Sequence, residues 1–159
     1  MCLQVEQIKS LNYEILRSHS IEFLDALKLF KKKTIQLSKN ENYILLEKVF
    51  EKNITKKKYV YPLWEYMFEF SSIKCEYGWE KFETMLKGKE VVFFFELDDD
   101  KNMFFLEDGS ILTEILENCY SFVFYITNMH GDFLIAYNDH DYLIGTGNAK
   151  EWIEKLKCL

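Results

Sequence analysis

At Glu90 the hydrophobic period of the chain changes, and that change most narrows what it can fold into. Before it, apolar residues recur every three or four positions. After it, they run in short blocks bounded by Asp, Asn and Gly. Val5, Ile8, Leu11, Ile15 and Leu16 predict one helix, and Ile21, Phe23, Leu24, Leu27 and Phe30 a second behind a cap at Ser20. A third helix is expected from about Asn40 through Tyr43, Leu46, Val49 and Phe50, followed by a lysine-rich loop from Asn53 to Lys58. Pro62 suits the first turn of a helix carrying Leu63, Trp64, Met67 and Phe68, with a short strand before it at Tyr59 to Tyr61. Residues 71–78 read as irregular, and Trp79, Phe82, Met85 and Leu86 as a short helix stopped by Gly88.

Beyond Glu90, EVVFFFEL is apolar on both faces, the mark of a central strand covered on each side. MFFL, SFVFYITN, FLIAY and YLIG supply four more strands. A helix with Ile111, Leu112, Ile115 and Leu116 inserts after Asp108-Gly109-Ser110, and Asn148 is placed to cap a last helix with Trp152, Ile153 and Leu156 inward. The expectation is an α+β protein: N-terminal helices on a mainly antiparallel five-stranded sheet, with C-terminal order ββαβββα. It is expected to be one compact domain over residues 1–159, helical over 1–89 and sheet-bearing over 90–159, with no internal repeat.

A hydrophobic content of 48%, with one proline and six glycines, is enough for a core and argues against disorder. The start of the chain lacks a signal-peptide pattern, and the longest apolar runs, such as VVFFF, are too short to span a bilayer. A cytoplasmic protein without a membrane partner is therefore expected. Cysteines at 2, 75, 119 and 158 have no metal-knuckle or redox spacing, so free thiols are expected. Arg17 is the single arginine, which disfavours bidentate reading of phosphate or guanine and hence a nucleic-acid partner.

Charge is segregated. Residues 1–89 hold sixteen Lys or Arg against twelve Asp or Glu, and residues 90–159 four Lys against fourteen acids; the nets of +4 and −10 make up the whole chain's −6. The acids of the second half fall in turns and helix starts: Asp98, Asp99, Asp100, Glu107, Asp108, Asp132, Asp139 and Asp141. Turn preference explains each of them singly. It does not explain the shortage of lysines beside them. An acidic end speeds encounter with a basic partner and repels nucleic acid.

Asp139-His140-Asp141 invites a metal or acid–base reading. Consecutive residues on a strand alternate in direction, however, and cannot all face one ion. Asp132 and His130 on the neighbouring turn would lie at the far end of the intervening strand. A hairpin turn is the simpler reading. Gly145-Thr146-Gly147 lacks the full dinucleotide fingerprint and the Walker lysine, and reads as a tight strand-to-helix connection. No Gly-x-Ser-x-Gly elbow is present, and no cofactor is implied.

Gly78-Trp79-Glu80, VVFFFE, Asp108-Gly109, FVFYITN and the phrase at His140, Asp141, Leu143 and Gly147 resemble small bacterial immunity proteins of polymorphic toxin systems and related families of unknown function. The similarity covers roughly residues 62–157. It implies a non-enzymatic binder of a cognate toxin domain. The resulting expectation is an immunity-type module whose Asp98, Asp99, Asp100, Asp139, His140 and Asp141 meet a basic partner. A small metal-dependent hydrolase using His140, or a structural homodimer, are the alternatives.

Overall fold

The computed structural model describes residues 19–56, 60–119 and 122–158. The helix expected at Val5–Leu16 lies outside them, as does part of the strand expected at Tyr59–Tyr61. The described helices are α1 (His19–Leu29), α2 (Lys39–Asn53), α3 (Phe82–Met85), α4 (Leu112–Glu117) and α5 (Asn148–Leu156). The strands are β1 (Ile35–Gln36), β2 (Ser71–Lys74), β3 (Val91–Phe95), β4 (Met103–Leu106), β5 (Phe124–Thr127), β6 (Phe133–Tyr137) and β7 (Tyr142–Gly147). All pair antiparallel in one sheet of order β1-β4-β3-β5-β6-β7-β2.

The α+β class with an antiparallel sheet is as expected; the count of five strands is not. Both additional strands come from the half expected to be helical, and both lie at sheet edges. β2 forms inside the stretch expected to be irregular, because Ser71–Lys74 pair with β7 and Ile73 packs into the core. β1 is two residues long and held to β4. The segment after Pro62 is a 3-10 turn, Leu63–Tyr66, rather than a longer helix.

The alternation of β3 explains the layering. Val91, Phe93 and Phe95 point to one face with Phe23 and Leu27 of α1, Leu112 and Ile115 of α4, and Ile153 of α5. Val92 and Phe94 point to the other, with Leu45 and Val49 of α2 and Leu63 of the 3-10 turn. The amino-terminal helices thus divide between the two faces. The first face is bound by an aromatic row: Phe23 stacks on Phe93 at 4.4 Å, Phe93 on Phe124 at 5.2 Å and Phe124 on Tyr137 at 5.6 Å. Such pairs add to stability beyond their buried area.

Two caps differ from expectation. Ser20 lies inside α1 and is buried; its N–H and hydroxyl both donate to Asp100 Oδ2, at 2.9 and 2.6 Å. The carboxylate of a distant turn therefore does the work expected of the serine. At α5 the capping position belongs to Gly147, and Asn148 is the first helical residue. In Gly145-Thr146-Gly147 the glycines allow close packing. A Cβ on Gly145 would stand 2.7 Å from Ile153 Cγ1 and 2.8 Å from the Ala149 carbonyl oxygen, so α5 can lie directly on β7. Thr146 donates to Asn53 Oδ1 at 2.7 Å, and Asn53 Nδ2 donates to the Gly131 carbonyl at 2.8 Å, tying α2 to the sheet.

Candidate functional site

The strand directions place the acidic turns at two ends of the sheet. β3 leads into the turn bearing Asp98, Asp99 and Asp100, and Phe95 pairs with Phe124, which pairs with Tyr137 just before Asp139. All six candidate residues therefore lie at one end. Glu107, Asp108 and Asp132 lie at the other, since Leu106 pairs with Val91 and Thr127 with Val92. The acids of the second half are divided rather than gathered. Asp132 is also engaged: Asn128 Nδ2 donates to it at 3.0 Å and Lys52 Nζ approaches to 3.3 Å. Those hydrogen bonds, Asn128's first, outweigh desolvation and hold its carboxyl below the usual value.

Within the candidate end, the six residues have different roles. Asp98, Asp99, Asp139 and His140 are exposed. Asp100 is buried, and the expectation that it meets a partner is corrected. Its Oδ2 is taken by Ser20, while its Oδ1 accepts from the backbone and side-chain nitrogens of Asn102, at 3.0 and 2.9 Å. Asp141 is half-buried with a φ of 62°, and its Oδ1 lies 3.0 Å from the Tyr137 hydroxyl. Burial, with Asp141 adding to it, pushes the Tyr137 phenol up to about 12.

The Asp-His-Asp triplet is a hairpin turn organised by Asn138. Its side-chain oxygen accepts from the N–H groups of His140 and Tyr142, each at 3.0 Å, and its carbonyl accepts from Asp141. The β5–β6 turn repeats this plan: Asn128 Oδ1 accepts from His130 and Asp132, each at 3.1 Å, and Gly131, with φ 65°, stands where Asp141 stands. No such recurrence was expected. The two share only Asn-x-His as letters, and the signal was the Asn four residues before the end of each turn.

Tyr61, read as part of a strand, stands exposed among the acids: Asp99 most strongly, then desolvation, Glu96, Asp98 and Asp139, raise its hydroxyl above the ordinary tyrosine value. A hollow of about 230 Å³ beside it is walled by Trp64, Glu65, Asp99, Asp139 and His140. Glu96 at its base is buried; its Oε1 accepts from the Leu63 N–H at 3.0 Å and its Oε2 from the Tyr125 hydroxyl. The available signal was the period-two run of Trp64, Tyr66, Phe68 and Phe70 with Glu65 and Glu69 among them; Phe68 and Phe70 are about half exposed, at 51% and 53%.

The arrangement suits a cation. Three exposed carboxylates and two aromatic rings meet at one corner, and among the described residues no lysine comes within ion-pairing distance of Asp98, Asp99 or Asp139. His140 Nε2 lies 3.7 Å from Asp139 Oδ1 and its ring meets Trp64 edge-on at 6.2 Å. Among the described residues no three His, Cys, Asp or Glu side chains are placed to hold one metal ion. Cys119 is pushed up to about 12 by burial and by Glu22, the opposite of an activated thiolate.

The convergence on Tyr61 has a direct check. Asp99→Asn removes the largest influence on its hydroxyl, so Tyr61 should titrate at lower pH than in the parent. The measurement is a difference titration against Tyr61→Phe. An unchanged midpoint would mean that the two turns do not share one field.

Among the described residues no helix is long and apolar enough to cross a membrane. Comparison with protein-family models, curated proteins and solved structures yields no match.

Proposed function

We propose that the protein is a binding module of the immunity type, which neutralises a basic toxin partner through the acidic end of its sheet. The observation that supports the reading is that Asp99 and Asp139 line one hollow with Tyr61 and Trp64, with Asp98 exposed on the same turn as Asp99, and that none of the three has a lysine partner among the described residues. A nuclease toxin holds phosphates in a basic cleft, and a rigid acidic surface competes for that cleft by offering carboxylates in their place. The exposed carboxylates stand on hairpin turns fixed by Glu96 and Asn138, so little ordering is required on association. The contact set proposed is Asp98, Asp99, Asp139 and His140, with Tyr61 and Trp64 added; Asp100 and Asp141 are removed, since Ser20 and Asn102 occupy the first and the Tyr137 hydroxyl engages the half-buried second.

The test is to capture the partner from the host lysate and to follow its association by stopped flow across a range of salt. The on-rate should fall roughly tenfold or more between low and near-physiological ionic strength, as steered encounters do. The triple variant Asp98→Asn, Asp99→Asn, Asp139→Asn should lose most of that salt dependence while remaining folded. A rate indifferent to salt would overturn the reading.

A further inference from the structure

β2 ends the sheet, and its outer side has no strand partner among the described residues. The Cys75 N–H donates to the Asp141 carbonyl at 2.8 Å, which makes 75 and 141 a hydrogen-bonded pair. By the alternation of an antiparallel ladder, Ser71 and Ile73 turn their backbone groups toward β7, and Ser72 and Lys74 turn theirs outward. The side chains of Ser72 and Lys74 share the sheet face of Ile144 and Tyr142, their register partners. α2 covers this face further along but leaves it open here. The result is a groove of about 530 Å³ floored by Ile144 and walled by Phe70, Tyr142 and Trp64. Phe70 is 53% exposed and Tyr142 38%.

This groove runs into the acidic hollow. Trp64, Glu65 and His140 line both. An unpaired strand edge, an adjoining aromatic trough and a carboxylate-rich mouth therefore form one continuous surface. Edges of this kind are normally blunted, and β2 is blunted only by its shortness and by Lys74, whose ammonium lies 5.9 Å over the Tyr142 ring.

We propose that this corner receives an extended segment of the partner protein, added antiparallel or parallel to the outer side of β2, with alternate apolar side chains in the trough and Lys or Arg side chains at the acidic mouth. The inference rests on the acidic-binder reading and names the form of partner that the site takes. Backbone pairing to Ser72 and Lys74 supplies affinity, and the aromatic trough and the carboxylates select sequence. Charge complementarity commits the occupant to a basic segment rather than to a second copy of this chain, which would bring the same Asp99 and Asp139 carboxylates against this corner.

The probe is a short synthetic peptide in which valine alternates with serine along the middle and two lysines stand at each end, so that valines face the trough and a terminal lysine reaches the acidic mouth, titrated into the isotope-labelled protein. It should shift the Ser72 and Lys74 amides and the Trp64 indole together, and slow exchange of the two amides. Phe70→Ser combined with Tyr142→Ser, both at exposed positions, should weaken binding about tenfold, and Lys74→Glu should strengthen it several-fold. The same peptide with alternate backbone nitrogens methylated should not bind. Shifts confined to Asp98, Asp99 and Asp139 would overturn the strand-addition inference and leave the acidic-binder reading intact. Equal binding of the same peptide with its lysines replaced by glutamates would overturn the acidic reading itself. Absence of binding, or shifts of Ser72 and Lys74 that depend on protein concentration alone, would overturn the inference, the latter in favour of self-association.

Discussion

Replacing Gly147 by alanine should cost the fold about 3 kcal/mol or more, from backbone strain of about 1–3 kcal/mol with a steric clash added. Gly147 has φ 56° and ψ −134°, a region open in practice to glycine alone. A Cβ there would stand 2.3 Å from the Asp132 carbonyl oxygen and 3.1 Å from Asn53 Oδ1. Neither neighbour can retreat freely. The Asp132 carbonyl accepts from the Asn148 N–H at 3.2 Å, and Asn53 is buried with its side chain bonded to Thr146 and Gly131. Relief of the clash would thus break the joint between α2, the β5–β6 turn and the start of α5. Gly88→Ala is the control, because Gly88 has φ 71° but nothing within 4 Å of its would-be Cβ. That variant should lose only the left-handed penalty, about 1–2 kcal/mol. Urea denaturation of both variants separates the two contributions. Equal losses would show that crowding at Gly147 contributes nothing.

The parts of this fold that were legible are those whose stability is local or whose burial is uniform. VVFFF could only be a strand covered on both faces, and it lies inside the sheet with every residue buried. The unread parts depend on partners far along the chain. Ser71–Lys74 has one large apolar residue and forms a strand because β7 offers an edge. Ser20 looked like a cap, yet the capping oxygen belongs to Asp100, eighty positions away. The candidate site divides in the same way. Turn chemistry placed Asp98, Asp99 and Asp139 in exposed turns, where they lie, because aspartate in a polar stretch between strands is a local signal. It also admitted Asp100, which has the same letters around it and faces inward. Tyr61, Trp64 and Glu96 went unassigned because nothing within a few residues of each reports that a 3-10 turn and the end of β3 meet. Charge segregation along the sequence likewise did not determine segregation in space. Antiparallel hairpins return the chain to both ends of the sheet, and the acids went to both.

Glu96→Ala should be the most damaging substitution at the candidate site, with an expected loss of about 3–5 kcal/mol, the scale for stripping the partner from buried polar groups. Glu96 lies at the end of β3 with 1% exposure. Its carboxyl oxygens accept from the Leu63 N–H and the Tyr125 hydroxyl, and that hydroxyl accepts in turn from the Trp64 N–H at 3.1 Å. The first N–H groups of the 3-10 turn are thereby anchored to β3 and β5, and Tyr61 and Trp64 are held over the acidic turns. Truncation leaves the buried Leu63 N–H and Tyr125 hydroxyl without these acceptors. Glu96→Gln keeps a side-chain acceptor of similar size and should lose roughly half as much or less, since hydrogen bonds to neutral groups are weaker. Coupling gives the sharper check. Tyr125→Phe should cost less beside Glu96→Ala than in the parent, because its bond to the carboxylate is already gone and only the one accepted from the Trp64 N–H is left to break. The Tyr61 titration should also come down toward the ordinary tyrosine value, both because the Glu96 charge is lost and because a loosened turn carries Tyr61 away from Asp99 and Asp139. If Glu96→Ala destabilised the protein but left Tyr61 titrating as before, the carboxyl would be a core tie with no part in shaping the acidic corner.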